Sequence, residues 1–279
     1  MFLVCFLKTM HPLVNKDVLV IVPTHSRDHT FSYTIDSILN QSYKNFNLAI
    51  TGDGVSEDYK KIIQKIVDSD DRVFFYDNKK TKLTGRTGEV HRNKPIEDFD
   101  PKYITYCGDD DLLIPNHIEK MVKEIQGCDF VHPIAYMLKQ KGNNSEYINR
   151  FLQNKVDSIY IKAYNFISLT GVMHTKELFD KTDGWTAAPN RLGTDHHMWL
   201  KFMDIEGFKG KSSLFSTTIK INRSGIKMQQ GVTLKDEVEF IKEWSEAIKV
   251  EGFVEKWNAY MDQVIVNKRA NPIVYDIKQ

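Results

Sequence analysis

Short apolar runs alternate with helical patterns over residues 17–76. The runs at 17–23, 45–51 and 72–76 are rich in β-branched or aromatic residues and end in polar or turn-forming residues. Such runs indicate strands that are buried on both faces, as in a parallel sheet. The segments between them carry apolar residues at the spacing of one helix face, at Phe31, Ile35, Ile38 and Leu39 and then at Ile62, Ile63, Ile66 and Val67. This order predicts a doubly wound α/β fold whose ligands bind at the carboxyl ends of the strands.

The middle of the chain continues this alternation after an irregular stretch. Residues 79–101 show no clear periodicity, which predicts a long loop or a weak helix, and long ordered loops are often functional. A strand follows at 103–107, then a helix carrying Ile118, Met121, Val122 and Ile125, then a strand at 129–132. The polar residues 139–158 predict a surface excursion. Beyond Gln229 apolar residues recur at helical spacing, which predicts helices at the end of the chain.

The length of the chain indicates how many domains it has, and its charge excludes one class of function. A chain of 279 residues is long enough for about two domains. We predict an N-terminal extension over 1–16, a main domain over 17–228 with halves of about 17–115 and 116–228, and a helical region over 229–279. The 38 basic and 37 acidic residues give a net charge of +1, which argues against a general nucleic-acid binder.

The cysteines and the apolar segments bear on location. Three cysteines at wide spacing include no C-x-x-C pair, which argues against a zinc site or a redox couple and favours a reducing, cytoplasmic location. No stretch approaches the roughly 18 apolar residues of a membrane-spanning helix. The apolar opening at 1–7 is too short for one, and a peripheral membrane contact is the alternative to a packed terminus.

Three consecutive carboxylates, Asp109, Asp110 and Asp111, follow a predicted strand. Like charges this close repel one another, and a divalent cation removes that repulsion. Oxygen ligands without Cys or clustered His suit Mg²⁺ or Mn²⁺, which also bind phosphate oxygens. The alternative is a solvated helix start, where Asp favours the positive end of the helix dipole.

Two further aspartates allow two interpretations each. Asp53 lies between two glycines at a strand end, where it either contacts a nucleotide base or ribose or belongs to an ordinary Asp-Gly turn. Asp195 lies near the start of a predicted helix. It is either a capping residue or, if it faces the edge of the sheet, a general base.

These segments, in this order, resemble glycosyltransferase family 2, the inverting GT-A enzymes. Residues 18–27 read VLVIVPTHSR, 37–46 read SILNQSYKNF, and 52–58 read GDGVSED. The family's phrases are approximately V-I-P-T-Y-N-R, S-I-L-x-Q-T-Y-x-N-F and D-D-G-S-x-D. The resemblance continues through YITYCGDDDLLIP at 103–115 to TDHHMWLK at 194–201, which is similar to E-D-x-x-L-W-L-R.

The resemblance implies a GT-A fold with a mixed or parallel central sheet, a helical C-terminal appendage, and a role for each site residue. The general base is Asp195, and the metal ligands for Mn²⁺ or Mg²⁺ are Asp110 and Asp111. The remaining predicted site residues contact either the nucleotide or the acceptor. The nucleotide set is Pro23, Thr24, Ser26, Arg27, Asp53, Arg86 and Asp109, and the acceptor set is His174, His196, His197 and Trp199.

The implied activity is metal-dependent, inverting transfer of a sugar from a nucleoside-diphosphate sugar, first of all a UDP-sugar. The implied acceptor is a hydroxyl on a glycan, a lipid-linked sugar or a surface-polymer precursor. Two alternatives remain open: transfer to a hydroxymethylated DNA base, for which the basic residues between 79 and 94 would touch phosphates, and a non-catalytic module that binds sugar-nucleotides or glycans. The C-terminal helices either cover the acceptor side or mediate self-association into a homo-oligomer.

Overall fold

Eleven strands are found in the part of the chain that the computed structural model describes, residues 14–81, 88–139, 143–146, 165, 167–189, 192–213, 215–221 and 234–270. The strands are β1 (Val18–Thr24), β2 (Phe46–Asp53), β3 (Val73–Asn78), β4 (Tyr103–Tyr106), β5 (Leu112–Leu113), β6 (Phe130–His132), β7 (Ala135–Lys139), β8 (Asn143–Glu146), β9 (Met173–Thr175), β10 (Gly210–Ser212) and β11 (Thr218–Ile221). They form two sheets.

The helices of the described residues flank these sheets. They are α1 (Asp28–Leu39), α2 (Glu57–Ser69), α3 (Asn93–Phe99), α4 (His117–Glu124), α5 (Lys176–Asp180), α6 (Thr194–Met203), α7 (Leu234–Ala247) and α8 (Phe253–Ala270), with a single 3₁₀ turn at Glu89–Arg92. None of them is long and apolar enough to cross a membrane within the described ranges. The apolar opening at 1–7 lies outside those ranges.

The larger sheet has seven strands in the order β10-β6-β9-β4-β1-β2-β3. β1 lies between β2 and β4 and is parallel to both, with Val18 opposite Phe46 on one side and Tyr103 on the other. β9 is antiparallel to both β4 and β6. The predicted α/β fold with a parallel-rich, mixed central sheet is confirmed.

Alternate residues of β1 belong to two different cores because successive side chains of a strand point to opposite faces. Val18, Val20 and Val22 pack with residues of α1, α2 and α4. Leu19 and Ile21 pack with residues of α3, α5 and α6. All five side chains are fully buried, which explains the unbroken apolar run in the sequence. The result is a sheet covered by helices on both faces.

The smaller sheet has the order β5-β11-β7-β8 and carries the C-terminal helices. Leu112 and Ile219 of this sheet pack against Ile241 of α7 and Trp257 of α8. The Trp257 indole Nε1 donates to the Ser216 carbonyl oxygen at 2.6 Å. The predicted C-terminal helices are therefore present, and they pack against the strand that directly follows the three aspartates.

The second sheet was not predicted, because its strands are short and β11 is distant in the sequence from its partners β5 and β7. In the stretch at 79–101, predicted to be a long loop or a weak helix, α3 agrees with the helical alternative, and the 3₁₀ turn was not predicted. Of the excursion predicted at 139–158, only residues 139 and 143–146 are described.

Candidate active site

A cavity of about 540 Å³ opens at the carboxyl ends of β1 and β4, as expected for a sheet of this type. Its wall includes part of the predicted nucleotide set, namely Pro23, Thr24, Ser26, Arg27 and Asp109. Asp195 and Thr194, at the start of α6, line the same cavity. The structure therefore brings residues of the first motif, at 18–27, together with residues of the last, at 194–201.

Thr24 joins the end of β1 to the first aspartate of the triplet. Its hydroxyl donates to Asp109 Oδ2 at 2.7 Å and accepts from the Tyr59 hydroxyl, also at 2.7 Å. Burial raises the pKa of Asp109 to about 6, even though the bond from Thr24 and the charge of Arg27 act in the opposite direction. Asp109 is thus held in place at the cavity wall, but its negative charge is not fully balanced by the protein.

The pKa of Asp110 is raised further than that of Asp109. Burial, together with the charges of Asp111 and Asp109, raises the pKa of Asp110 to about 8. A carboxyl group in this environment is costly to ionise unless a cation is close by. The oxygen chemistry and the excess negative charge of Asp109 and Asp110 therefore fit a hard divalent cation.

Asp111, which was predicted to be a metal ligand, has a different environment from its two neighbours. Its side chain is fully buried, and Oδ2 accepts a 2.9 Å bond from Lys220 Nζ and a bond from the Thr170 hydroxyl. Thr170 also accepts from the Gly108 amide at 3.0 Å. Because its charge is already paired, Asp111 fixes the turn that presents Asp109 and Asp110.

No local pattern in the sequence indicates these supporting residues. Lys220 lies on β11 and Thr170 precedes β9, so both are far from the triplet in the chain. Burial alone would lower the pKa of Lys220, but the charges of Asp111 and Asp110 outweigh it and hold that pKa above its ordinary value. The cation that balances Asp111 is therefore a lysine of the chain itself.

Asp53, at the end of β2, is enclosed by cations and amides. It accepts from Lys80 Nζ at 2.5 Å and from the Thr81 amide at 2.8 Å, and His91 Nε2 lies 3.3 Å from its Oδ1. Burial alone would raise the pKa of Asp53, but the bonds from Lys80 and Thr81 outweigh it and lower that pKa. A Cβ added at Gly88 (φ +65°) would lie 2.6 Å from the Asp53 carboxyl carbon, so only glycine allows this close approach.

Asp195 is the second residue of α6 and lies at the cavity wall, close to the helix start that the capping interpretation requires. Its Oδ1 accepts from Asn165 Nδ2 at 2.9 Å and from the His196 amide at 2.8 Å. Gly193 is the N-cap, so Asp195 is not the capping residue itself. Both bonds go to one oxygen, which fixes the orientation of the carboxylate.

The four residues predicted to contact the acceptor do not lie at this wall. His174 is fully buried on β9, where Nε2 is 2.8 Å from the Tyr106 hydroxyl, and burial lowers its pKa to about 4. Trp199 is in the core, with Nε1 donating to the Ile167 carbonyl oxygen. His196 is buried, and neither it nor His197 lines the cavity. For His174 and Trp199 the acceptor prediction is corrected, because core packing already uses their side chains.

A cation that was not predicted as a site residue lies at the cavity wall. Arg92, at the end of the 3₁₀ turn, lines the cavity and is 2% exposed. Arg92 lies in the stretch at 79–101, which shows no clear periodicity, and nothing in the sequence distinguishes it from the neighbouring basic residues. Arg86, predicted to reach the diphosphate, lies outside the described residues. Within the described ranges no group of three or more His, Cys, Asp or Glu side chains is placed so that it could hold a metal ion.

Comparison with known proteins gives a family match. A family model described as "Glycosyl transferase family 2" matches residues 19–183. The Glycosyltransferase GlyA of Streptococcus pneumoniae is 26% identical over 157 residues, 56% of this chain and 21% of that protein. A GalNAc(5)-diNAcBac-PP-undecaprenol beta-1,3-glucosyltransferase of Campylobacter jejuni is 27% identical over 125 residues, 45% of this chain and 39% of that protein. The matches thus span less than half the length of these relatives.

Solved structures show the same fold. S. aureus TarS 1–349 in complex with UDP-GlcNAc has a TM-score of 0.55 at 14% identity, covering 94% of this chain and 76% of that one. Mannosyltransferase PcManGT from Pyrobaculum calidifontis, in complex with GDP-Man and Mn²⁺, has a TM-score of 0.51 at 10% identity, covering 93% of this chain and 77% of that one.

Proposed function

From the premise that the chain belongs to glycosyl transferase family 2, we propose that it transfers a sugar from a UDP-sugar to an acceptor hydroxyl, with inversion at the anomeric carbon. The observation that carries the proposal is the shared cavity. Asp109 at the end of β4 and Asp195 at the start of α6 line the same space, which thus combines a candidate diphosphate end with a candidate proton acceptor.

The nucleotide end lies along β1 and β2. We assign Thr24 and Arg27, which line the cavity, to the nucleoside and its phosphates. Asp53 is assigned to the base through its contacts with Lys80 Nζ and the Thr81 amide, because both residues also line the cavity. The UDP preference is supported by UDP-GlcNAc in the TarS structure, although PcManGT holds GDP-Man.

We assign a divalent cation, Mn²⁺ or Mg²⁺, to Asp109 and Asp110. Their raised pKa values support this assignment, and so does the Mn²⁺ that the PcManGT structure holds. When bound, such an ion supplies charge that neutralises a nucleoside-diphosphate leaving group. Asp111, already paired with Lys220, keeps the two carboxylates in place.

Asp195 is the proposed general base. With Oδ1 held by Asn165 and the His196 amide, Oδ2 is the oxygen assigned to take the acceptor proton. The acceptor oxygen forms its bond to the anomeric carbon from the face opposite the diphosphate, and the bond from that carbon to the phosphate oxygen breaks. The electron pair leaves with the nucleoside diphosphate. The acceptor class is a glycan or lipid-linked sugar, supported by the name of the C. jejuni relative.

The test combines binding with turnover. A panel of UDP- and GDP-sugars is screened by thermal shift in Mn²⁺, since a ligand at 100 times its Kd stabilises by about 2.7 kcal/mol. Release of the nucleoside diphosphate is then measured with candidate acceptors. We expect Asp195→Asn to lower turnover by about 10²- to 10⁴-fold while nucleotide binding is retained.

The control is Asp183→Asn. Asp183 is exposed, does not line the cavity, and pairs with Lys201, which lies in the same helix, α6, as Asp195. We expect this variant to turn over like the wild type. Wild-type rates in Asp195→Asn would contradict the assigned base. Nucleotide-sugar binding without any turnover of the wild type would favour a non-catalytic binding module.

A further inference from the structure

Arg27 is the N-cap residue of α1, a position where a positive charge is unfavourable. Its carbonyl oxygen accepts from the Thr30 amide at 3.1 Å and from the Phe31 amide at 2.9 Å, but its side chain makes no capping hydrogen bond. Ser, Thr, Asp and Asn are preferred at such a position, and the helix dipole disfavours a cation there. The guanidinium therefore does not stabilise the start of α1, and it lines the cavity instead.

A carboxylate of α7 pairs with Arg27. Glu237 Oε1 accepts from Arg27 Nη1 at 3.4 Å, and Glu237 Oε2 lies 3.7 Å from His29 Nε2. The side chains of Arg27 and Glu237 are only 19% and 12% exposed, so salt screens their pair less than one on the open surface. Glu237 is in the first turn of α7, where the helix dipole favours a negative charge. The start of α7 thus supplies the anion that the start of α1 lacks at Arg27.

Contacts along α1 fix the position of α7. Tyr33 of α1 packs against the apolar cluster that contains Ile241 of α7, whose side chain is fully buried. Lys249, two residues beyond the end of α7, pairs with Asp36 in the last turn of α1. The two helices therefore run in the same direction with an ion pair at each end, and Glu237 is held beside Arg27.

Arg27 also interacts with the acidic residues of the cavity. Burial raises the pKa of Asp109 and of Asp110, and the charge of Arg27 opposes this effect at both residues. Glu237 does not line the cavity. Arg27 thus connects the proposed diphosphate end of the cavity with a carboxylate that is not part of the cavity wall.

We propose that Glu237 is a positioning residue for nucleotide binding, which holds the Arg27 guanidinium at the cavity wall before the donor enters. The inference rests on the proposed nucleotide-sugar donor and on the assignment of Arg27 to it. An arginine side chain has many rotamers, and ordering it on binding costs affinity. Because Glu237 already holds Nη1, part of that cost is removed in advance. α7 lies beyond residues 19–183, which match the family model, so the C-terminal helices gain a role at the donor side of the site.

The experiment is a double-mutant cycle on UDP affinity with Glu237→Ala, Arg27→Met and the double variant. UDP is titrated by calorimetry at saturating Mn²⁺. Alanine has the highest helix propensity, so α7 is retained in Glu237→Ala. We expect Glu237→Ala to weaken UDP binding by about 3- to 10-fold and Arg27→Met by about 10- to 100-fold. The double variant should bind UDP as Arg27→Met does, because Glu237 acts through Arg27.

Two further variants separate positioning from the packing of α7. Lys249→Ala breaks the ion pair at the other end of α1 and leaves Glu237 in place, so its UDP affinity should equal that of the wild type. Glu237→Gln keeps an oxygen that accepts from Arg27 but loses the charge, so its affinity should lie between those of the wild type and Glu237→Ala. In turnover, Glu237→Ala should raise KM for the donor and leave kcat unchanged, because ordering Arg27 affects the ground state and the transition state equally.

Additive losses in the cycle, or a loss in Lys249→Ala as large as that in Glu237→Ala, would assign Glu237 to the packing of α7 and overturn the proposal. Loss of folding in both Glu237 variants would overturn it for the same reason. Tighter UDP binding in Glu237→Ala would also overturn it, because the carboxylate would then compete with the nucleotide for Arg27. Unchanged affinity in Arg27→Met would remove its premise. A wild type that does not bind UDP would instead overturn the proposed UDP donor itself, whereas all the other outcomes require a wild type that binds UDP.

Discussion

Two acidic positions at the same edge of the sheet are balanced in different ways. Asp53, after β2, is surrounded by Lys80, the Thr81 amide and His91, and its pKa is lowered despite burial. Asp109 and Asp110, after β4, have pKa values raised to about 6 and about 8. The difference teaches that charge is balanced internally at Asp53, the proposed nucleoside contact, whereas Asp109 and Asp110, the proposed diphosphate end, retain negative charge that suits an external cation.

The largest effect on nucleotide binding is expected at Asp110. We expect Asp110→Asn to weaken UDP binding in Mn²⁺ by about 10²- to 10³-fold, because a metal contact of this kind contributes several kcal/mol. In EDTA the variant should bind UDP as well as the wild type does. Calorimetry in the two buffers measures both values, and an equal loss in EDTA would show that Asp110 acts without a metal.

Lys220 tests the claim that Asp111 is the internally balanced member of the triplet. We expect Lys220→Met to lower the free energy of unfolding by about 3 kcal/mol, because it leaves a fully buried carboxylate without its cation. Urea unfolding at neutral pH measures the loss.

The matched control for this prediction is Lys211→Met. Lys211 pairs with Glu124 at 2.7 Å, but that carboxylate is partly exposed and can be solvated when the lysine is lost. We therefore expect a clearly smaller loss of stability. Equal losses in the two variants would contradict the assigned role of Lys220.

The raised pKa values also predict a pH dependence with a definite sign. Between about pH 4 and 8 the native carboxyls of Asp109 and Asp110 hold protons that the unfolded chain releases, so their contribution to stability falls as pH rises. Mn²⁺ binds the ionised groups, so its stabilising effect should grow over the same range. The Tm increase caused by Mn²⁺ should be larger at pH 8 than at pH 6. The same increase at both values would contradict the account.

The smallest effect is expected at Asp53. Lys80→Met leaves the Thr81 amide in place, and the lysine side chain is 46% exposed, so much of its charge is screened by solvent. The Asp53 side chain is 3% exposed, but the Thr81 amide and His91 remain beside it, so the loss in unfolding free energy should be about 1 kcal/mol, well below that of Lys220→Met. A loss as large as that of Lys220→Met would show that the two aspartates depend equally on a single lysine.

The parts of the fold that could be predicted from the sequence are those whose apolar residues form an unbroken run or a regular helical spacing. β1 and β2 were found within about two residues because both faces of each strand are covered, and α1 was found from its apolar spacing. β9 and β10 have three residues each and were missed, although β6, which is equally short, was predicted at 129–132. The four-residue 3₁₀ turn before α3 was also missed.

The site was predictable where a strand ends in a carboxylate and not where distant segments meet. The cavity positions of Asp109 and Asp195 followed from the family motifs. The pairing of Asp111 with Lys220 and the stacking of Arg92 on Trp185 join residues about a hundred positions apart, which no local pattern can indicate. His174 and Trp199 show the opposite error, because motif proximity did not distinguish core packing from substrate contact.

The most direct test of the charge comparison is the titration of UDP into the wild-type chain, once in Mn²⁺ and once in EDTA. If Asp109 and Asp110 require an external cation and Asp53 does not, UDP should bind at least about 100-fold more tightly in Mn²⁺. Uridine, which lacks the diphosphate, should bind equally in both buffers. Equal affinity of UDP with and without the metal would contradict the account.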